Sequence, residues 1–168
     1  LQEWNIRPGR LDDVERLVAF SQAMALETEG RRLDTDRLQR GTRALLNSTV
    51  HGFFMVAERP QTNQVVGQLM ITYEWSDWRN ALFWWIQSVY VDPAWRRQGV
   101  FRNMHAQVIE RAKADPGVCG VRLYVESENR IAQEVYRKVG LKPSSYAVFE
   151  NDFVLGHQQS MADRPDEA

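Results

Sequence analysis

Cysteine is almost missing from this chain: Cys119 is the single one in 168 residues, so no internal disulfide can staple the fold. Net charge is almost missing too. Lysine and arginine number 21 against 22 aspartates and glutamates, a formal charge of −1, where a general nucleic-acid binder would carry a strong basic excess. No apolar run is long enough for a transmembrane helix and no signal-peptide or transit-peptide pattern is present, so no membrane partner is expected and the cytoplasm is the expected location. The chain starts at Leu1 rather than an initiator methionine, which leaves a trimmed leader open. The three histidines, His51, His105 and His157, have neither metal-ligand spacing nor the company of a nucleophile triad, so no metal is expected.

What is present is the composition of one globular unit. With 43% apolar and 26% charged residues, the chain can bury a sizeable core and lacks the charge excess of disorder. Residues 1–155 read as one domain and 156–168, without apolar period, as a flexible tail. The order reads as strand, two helices, three strands, helix, strand, helix and a last strand, with no internal repeat or linker. Glu3 to Arg7 is the first strand. Asp12 and Glu15 look like a capping box ahead of the helical stripe Val14, Leu17, Val18 and Met24. A second helix runs from about Asp36 to Leu46. Gly52–Glu58 and Val65–Trp75 flank a Pro60-Gln61-Thr62-Asn63 turn and predict an antiparallel hairpin. Phe83–Val91, Val121–Val125 and Tyr146–Phe153 complete the strands.

The most informative stretch is Val91-Asp92-Pro93-Ala94-Trp95-Arg96-Arg97-Gln98-Gly99-Val100-Phe101. An aromatic, β-branched run passes through a proline turn and two arginines into a glycine, after which Val100, Met104, Val108 and Ala112 repeat with helical spacing. A strand thus hands over to a helix start. Its unpaired N–H groups and dipole favour phosphate, Gly99 lets a ligand approach, and Arg96, Arg97 and Arg102 add positive charge. A second segment, Asn129 to Leu141, reads as a short helix capped by Asn129, with Ile131, Ala132, Val135 and Val139 as its buried stripe and Gly140 as its left-handed stop.

Together the two segments resemble the GNAT acyltransferase superfamily, whose (Arg/Gln)-x-x-Gly-x-(Gly/Ala) turn binds the pyrophosphate of acetyl-CoA. Arg96, Arg97, Gln98 and Gly99 match that turn, whereas Phe101 replaces its second small residue. Asn129, Ala132, Tyr136, Gly140 and Leu141 match the family's later Asn-x-x-Ala-x-x-x-Tyr-x-x-x-Gly-(Phe/Leu) helix. The resemblance implies an α/β fold with a mixed, mostly antiparallel sheet, flanked by helices and opened by a splayed parallel strand pair. It also implies acetyl-CoA as cosubstrate, held by Val89 and Val91 along the strand, by Arg96, Arg97, Gln98, Gly99, Val100, Phe101 and Arg102 at the turn, and by Asn129 and Tyr136 opposite. A backbone N–H between Ser88 and Val91 would stabilise the oxyanion.

An alkyl amine with a pKa near 10.4 must lose a proton before it attacks a thioester, and the leaving thiolate, near 8.5, gains moderately from an acid. By resemblance, Tyr136 is the candidate acid. Glu27 and Glu29, at the end of the first helix, are candidates to recognise a cationic amine or take its proton, with a solvated helix end as the plain alternative. Glu74 and Glu150 are lesser candidates, and the middle of the Phe83–Val91 strand offers Gln87 and Ser88 instead of a carboxylate. Most of the aromatics of Trp75-Ser76-Asp77-Trp78 and Phe83-Trp84-Trp85 should be core, with a minority lining an acceptor cleft. The expected activity is transfer of acetyl to a primary amine of a small cationic molecule. A noncatalytic acyl-CoA sensor and an enzyme acting on protein N-termini or lysines are the alternatives, and a homodimer stays open.

Overall fold

The computed structural model describes residues 4–155. Five strands form one sheet in the order β1 to β5: β1 Asn5–Pro8, β2 Gly52–Glu58, β3 Val65–Ser76, β4 Ala81–Val91 and β5 Val118–Arg122. The first four are antiparallel neighbours, and β5 runs parallel to β4. Helices α1 Val14–Glu29, α2 Thr35–Leu46, α3 Val100–Ala114 and α4 Arg130–Lys138 supply the rest. The sheet is therefore mixed and flanked by helices.

Period-two alternation sorts side chains onto two faces. Met55, Ala57, Val66, Leu69, Ile71, Trp84 and Ile86 bury against Val100, Met104, Val108 and Ala112 of α3. The opposite face sets Phe54, Val56, Val65 and Tyr90 against Leu17, Phe20 and Leu45 from the α1 and α2 layer. At β1, Arg7 binds Asp13 through both terminal nitrogens, at 2.8 and 2.9 Å, and Glu58 through Nε at 2.8 Å. This tie changes the start of α1. Instead of a box built on Asp12 and Glu15, a short 3-10 turn over Leu11–Asp13 precedes the helix, and Asp13 accepts from the Arg10 N–H at 2.7 Å. Arg7 holds the Asp13 carboxylate where that bond can form.

Three other expectations change. β5 spans Val118–Arg122 rather than Val121–Val125, because its pairing begins directly after Gly117, at Leu82 opposite Val118. The α4 stripe is not buried: Ile131 is 82% exposed, and no residue of α4 is fully covered. The expected strand over Tyr146–Phe153 does not form, and residues 141–155 are irregular. Local bonds compete with a ladder there: Tyr146 N–H donates to Ser144 Oγ, and Val154 and Leu155 N–H donate to Asp152 Oδ1. Phe149 is left 96% exposed. Glu3, His157 and the tail over 156–168 lie outside the described residues.

Candidate active site

Pairing of β4 with β5 runs from Leu82 opposite Val118 to Trp85 opposite Arg122 and then stops, while β4 continues to Val91. From Ile86 onward the β5-side edge of β4 has no strand partner, so its backbone groups face a gap. The register with β3 also slips here, since Gln68 opposes Tyr90 but Met70 opposes Gln87. The extra residue bends the strand. Ser88 takes φ 49, a left-handed conformation that a serine holds only where its surroundings fix it. Gln68, fully buried, supplies that support: its Nε2 donates to the Ser88 carbonyl at 3.3 Å and to Ser21 Oγ on α1 at 3.2 Å.

β4 ends at Val91, and the next residue, Asp92, accepts from the Ala94 N–H through its carboxylate and pairs with Arg16 of α1 at 2.8 Å. A 3-10 turn over Pro93–Trp95 leads to Arg97 at φ 64 and Gly99 at φ 83, and α3 begins at Val100. Gly99 is the helix cap and brings no side-chain acceptor, so the first N–H groups of α3 are not covered by a side chain. A Cβ at Gly99 would stand 3.5 Å from Asn103 Nδ2, leaving a shallow cradle above the turn. Arg97 and Arg102 are exposed and make no ion pair among the described residues. Gln98 between them in sequence is also exposed, and an uncapped helix start beside cationic side chains can accept an anion.

Arg96 points elsewhere. Its Nε donates to the Val91 carbonyl at 2.9 Å, and its two terminal nitrogens meet Glu27 at 2.6 and 2.7 Å. Hydrogen bonds from Arg96, with its charge, hold the Glu27 carboxyl below the usual carboxylate range. The pair closes one side of a cleft of about 160 Å³ lined by Met24, Thr28, Val89, Tyr90 and Val91. Glu29 lies outside this cleft lining and sits 3.8 Å from Arg31.

On the helix-bearing face beyond α1, Thr72, Glu74, Trp85, Gln87 and Arg122 form a half-buried polar floor. Glu74 accepts from Trp85 Nε1 and, at 3.1 Å, from Arg122 Nη1. Gln87 donates to Thr72 Oγ1 and accepts from the Tyr124 hydroxyl at 3.3 Å. Trp84 and Phe83 are buried, while Trp75 and Trp78 are exposed beyond the floor. Glu150 is exposed in the irregular segment.

α4 carries the second motif segment. Asn129 Oδ1 accepts from the Ala132 N–H at 3.0 Å, as the sequence predicts, and Gly140 has φ 92 after the helix. Tyr136 sits edge-to-face on Phe101, with ring centroids 5.6 Å apart. Burial pushes its phenol up, so the hydroxyl stays protonated at neutral pH. Phe101, where a small residue was expected, thus braces Tyr136 against α3. Gln68, Tyr90, Arg122 and Tyr124 were not among the site residues expected from the sequence. A lone glutamine inside Val65-Val66-Gly67-Gln68-Leu69-Met70 was the available signal for the first, since a buried amide needs partners.

Among known proteins, the acetyltransferase (GNAT) family model matches residues 15–141. A possible acetyltransferase from Clostridium difficile 630 is 40% identical with a TM-score of 0.83, the match covering 90% of this chain and 98% of that one. A predicted acetyltransferase with acetyl-CoA from Clostridium acetobutylicum is 18% identical, TM-score 0.70, over 89% and 96% of the two chains. Glucosamine-6-phosphate N-acetyltransferase from Arabidopsis thaliana is 18% identical, TM-score 0.66, over 89% and 98%. No curated protein matches the sequence. The family match over most of the chain, on a sheet parted beside an open helix start, makes this chain a member of the GNAT acetyltransferase family, an acyltransferase that uses acetyl-CoA.

Proposed function

We propose that this protein transfers acetyl from acetyl-CoA directly to the primary amine of a small cationic acceptor. The observation that carries the reading is the parting of β4 from β5 next to the uncovered start of α3, which leaves one strand edge and one anion cradle in line. Arg97, Arg102 and the amides of Val100 and Phe101 hold the pyrophosphate, and the backbone of Val89 and Val91 pairs with the amide-rich arm as a further strand would. When bound, the cosubstrate supplies an electrophilic thioester carbonyl and a thiolate leaving group.

The chain's own groups do the rest. Gln68 holds the Ser88 carbonyl, which fixes the Ser88–Val89 peptide plane and with it the direction of the Val89 N–H, the preorganisation that stabilising a developing oxyanion needs. Tyr136 keeps its proton until the leaving thiolate takes it. The amine arrives protonated and passes its proton to solvent water along the polar floor of Thr72, Glu74 and Gln87. The paired ring faces of Trp85 and Tyr124 and the Glu74 carboxylate favour a cation beside the floor. The glucosamine-6-phosphate enzyme, an acetyltransferase of the same fold, is consistent with a small polar amine.

Thioester consumption with a panel of amines, peptides and protein lysines tests this. Turnover with small cationic amines supports it. Binding of CoA without turnover assigns a sensor instead, and turnover with peptides alone assigns a protein substrate. Tyr136→Phe is expected to lower kcat at least about tenfold while leaving CoA affinity unchanged, below the full range of roughly 10²–10⁴ for acid–base help because the thiolate leaves readily. Unaltered kcat across pH would make Tyr136 a packing residue.

A further inference from the structure

Glu27 and Arg96 meet across 69 residues of sequence, fork onto fork, and the Arg96 Nε simultaneously holds the Val91 carbonyl. The guanidinium also lies 5.3 Å from the centroid of Tyr90. All three donor directions of Arg96 are therefore turned toward the cleft wall. Both side chains stay partly exposed, 36% for Arg96 and 46% for Glu27, so the pair contributes little to global stability. Its geometry is the larger consequence. It ties the last turn of α1 to the last residues of β4, the two elements whose separation sets the width of the cleft lined by Met24, Thr28 and Val89.

Resting on the transferase reading above, we propose that Glu27 is a positioning residue: through Arg96 it clamps α1 to β4, fixes the mouth through which the amine reaches the bulge, and removes the Arg96 charge from the phosphate cradle. Glu27 then neither takes the substrate proton nor binds the cation, and the cradle is built from Arg97, Arg102 and the α3 amides. A carboxylate chelated at both oxygens by a guanidinium has few lone pairs left for an amine.

A charge exchange tests the clamp. Glu27→Arg and Arg96→Glu are each expected to lower kcat/KM for the amine by about tenfold or more, and the double variant to return to within about threefold of wild type, since an interaction that two residues share reappears when both are swapped. The kcat–pH profile of the double variant is expected to keep its wild-type shape, and its CoA dissociation constant by calorimetry to stay within about threefold of wild type. A double variant no better with the amine than the worse single one, or a lost limb in its pH profile, would show that Glu27 acts on the substrate itself. CoA binding lost in Arg96→Glu and not regained in the double variant would make Arg96 a phosphate ligand. Either result overturns the proposal. If wild-type protein consumes no thioester with any amine, the transferase reading fails on its own. In that case amide exchange in the last turn of α1 and at Val91, expected to be faster in each single variant and restored in the double one, still decides the clamp, and unchanged exchange in the single variants overturns it.

Discussion

α3 and α4 both follow a strand, both carry the motif residues of the site, and they differ in how each helix is held. α3 begins at Gly99 without a side-chain cap and is anchored by Val100, Met104, Val108 and Ala112, all buried against the sheet. α4 begins with Asn129 bonded to the Ala132 N–H, adds the Glu134–Lys138 pair at 2.7 Å, and buries no side chain. A helix stabilised by tertiary packing can leave its first amides open for a ligand, whereas a nine-residue helix without packing has to satisfy its own end. The open start of α3 is thus sustained by the core beneath it. The helix that carries Tyr136 is held by local bonds and by the Phe101 contact.

Truncating each helix's inward side chain breaks or sharpens this contrast most strongly. Met104→Ala is expected to cost about 2–5 kcal/mol in chemical denaturation, since it opens a cavity among Val66, Leu69 and Ile71, while Val135→Ala is expected to stay within about 0.5 kcal/mol. Equal losses would mean that α4 is as deeply packed as α3. Next in size is Gly99→Asp, which places a carboxylate at the open helix start and forces a side chain onto φ 83. Calorimetry is expected to show CoA affinity reduced by about tenfold or more, the scale of one 1.4 kcal/mol interaction. A folded variant with wild-type affinity would remove the cradle from the site. The smallest effect belongs to the other cap. Asn129→Ala is expected to cost about 1 kcal/mol, confined to α4 and visible as faster amide exchange at Ala132. Exchange accelerated throughout α3 as well would show that the two helices unfold together.

Much of the site was legible in the sequence because its signals are local. A strand-like run ending in Pro93, a glycine at the start of a helical period, and an asparagine three residues before Ala132 each act over one turn of chain. The hairpin of β2 and β3 was legible for the same reason. The capping box on Asp12, the stripe of α4 and a strand over Tyr146–Phe153 looked equally local, yet each depended on something distant. Arg7 of β1 determines which aspartate caps, and Ile131 and Phe149 stay exposed because no described element covers them.

The sequence by itself determined the helix and strand periods, the open start of α3 and the cap of α4, since steric and hydrogen-bond preferences of neighbouring residues suffice for these. Only the tertiary structure decided that Arg96 faces Glu27 rather than the cradle, that Gln68 supports the bulge at Ser88, and that Thr72, Glu74, Trp85, Gln87 and Arg122 share one floor. Composition gives each charge and amide many partners of the right kind. Which partner it meets depends on strand register and on where α1 lies across the sheet, distances that no span of sequence contains.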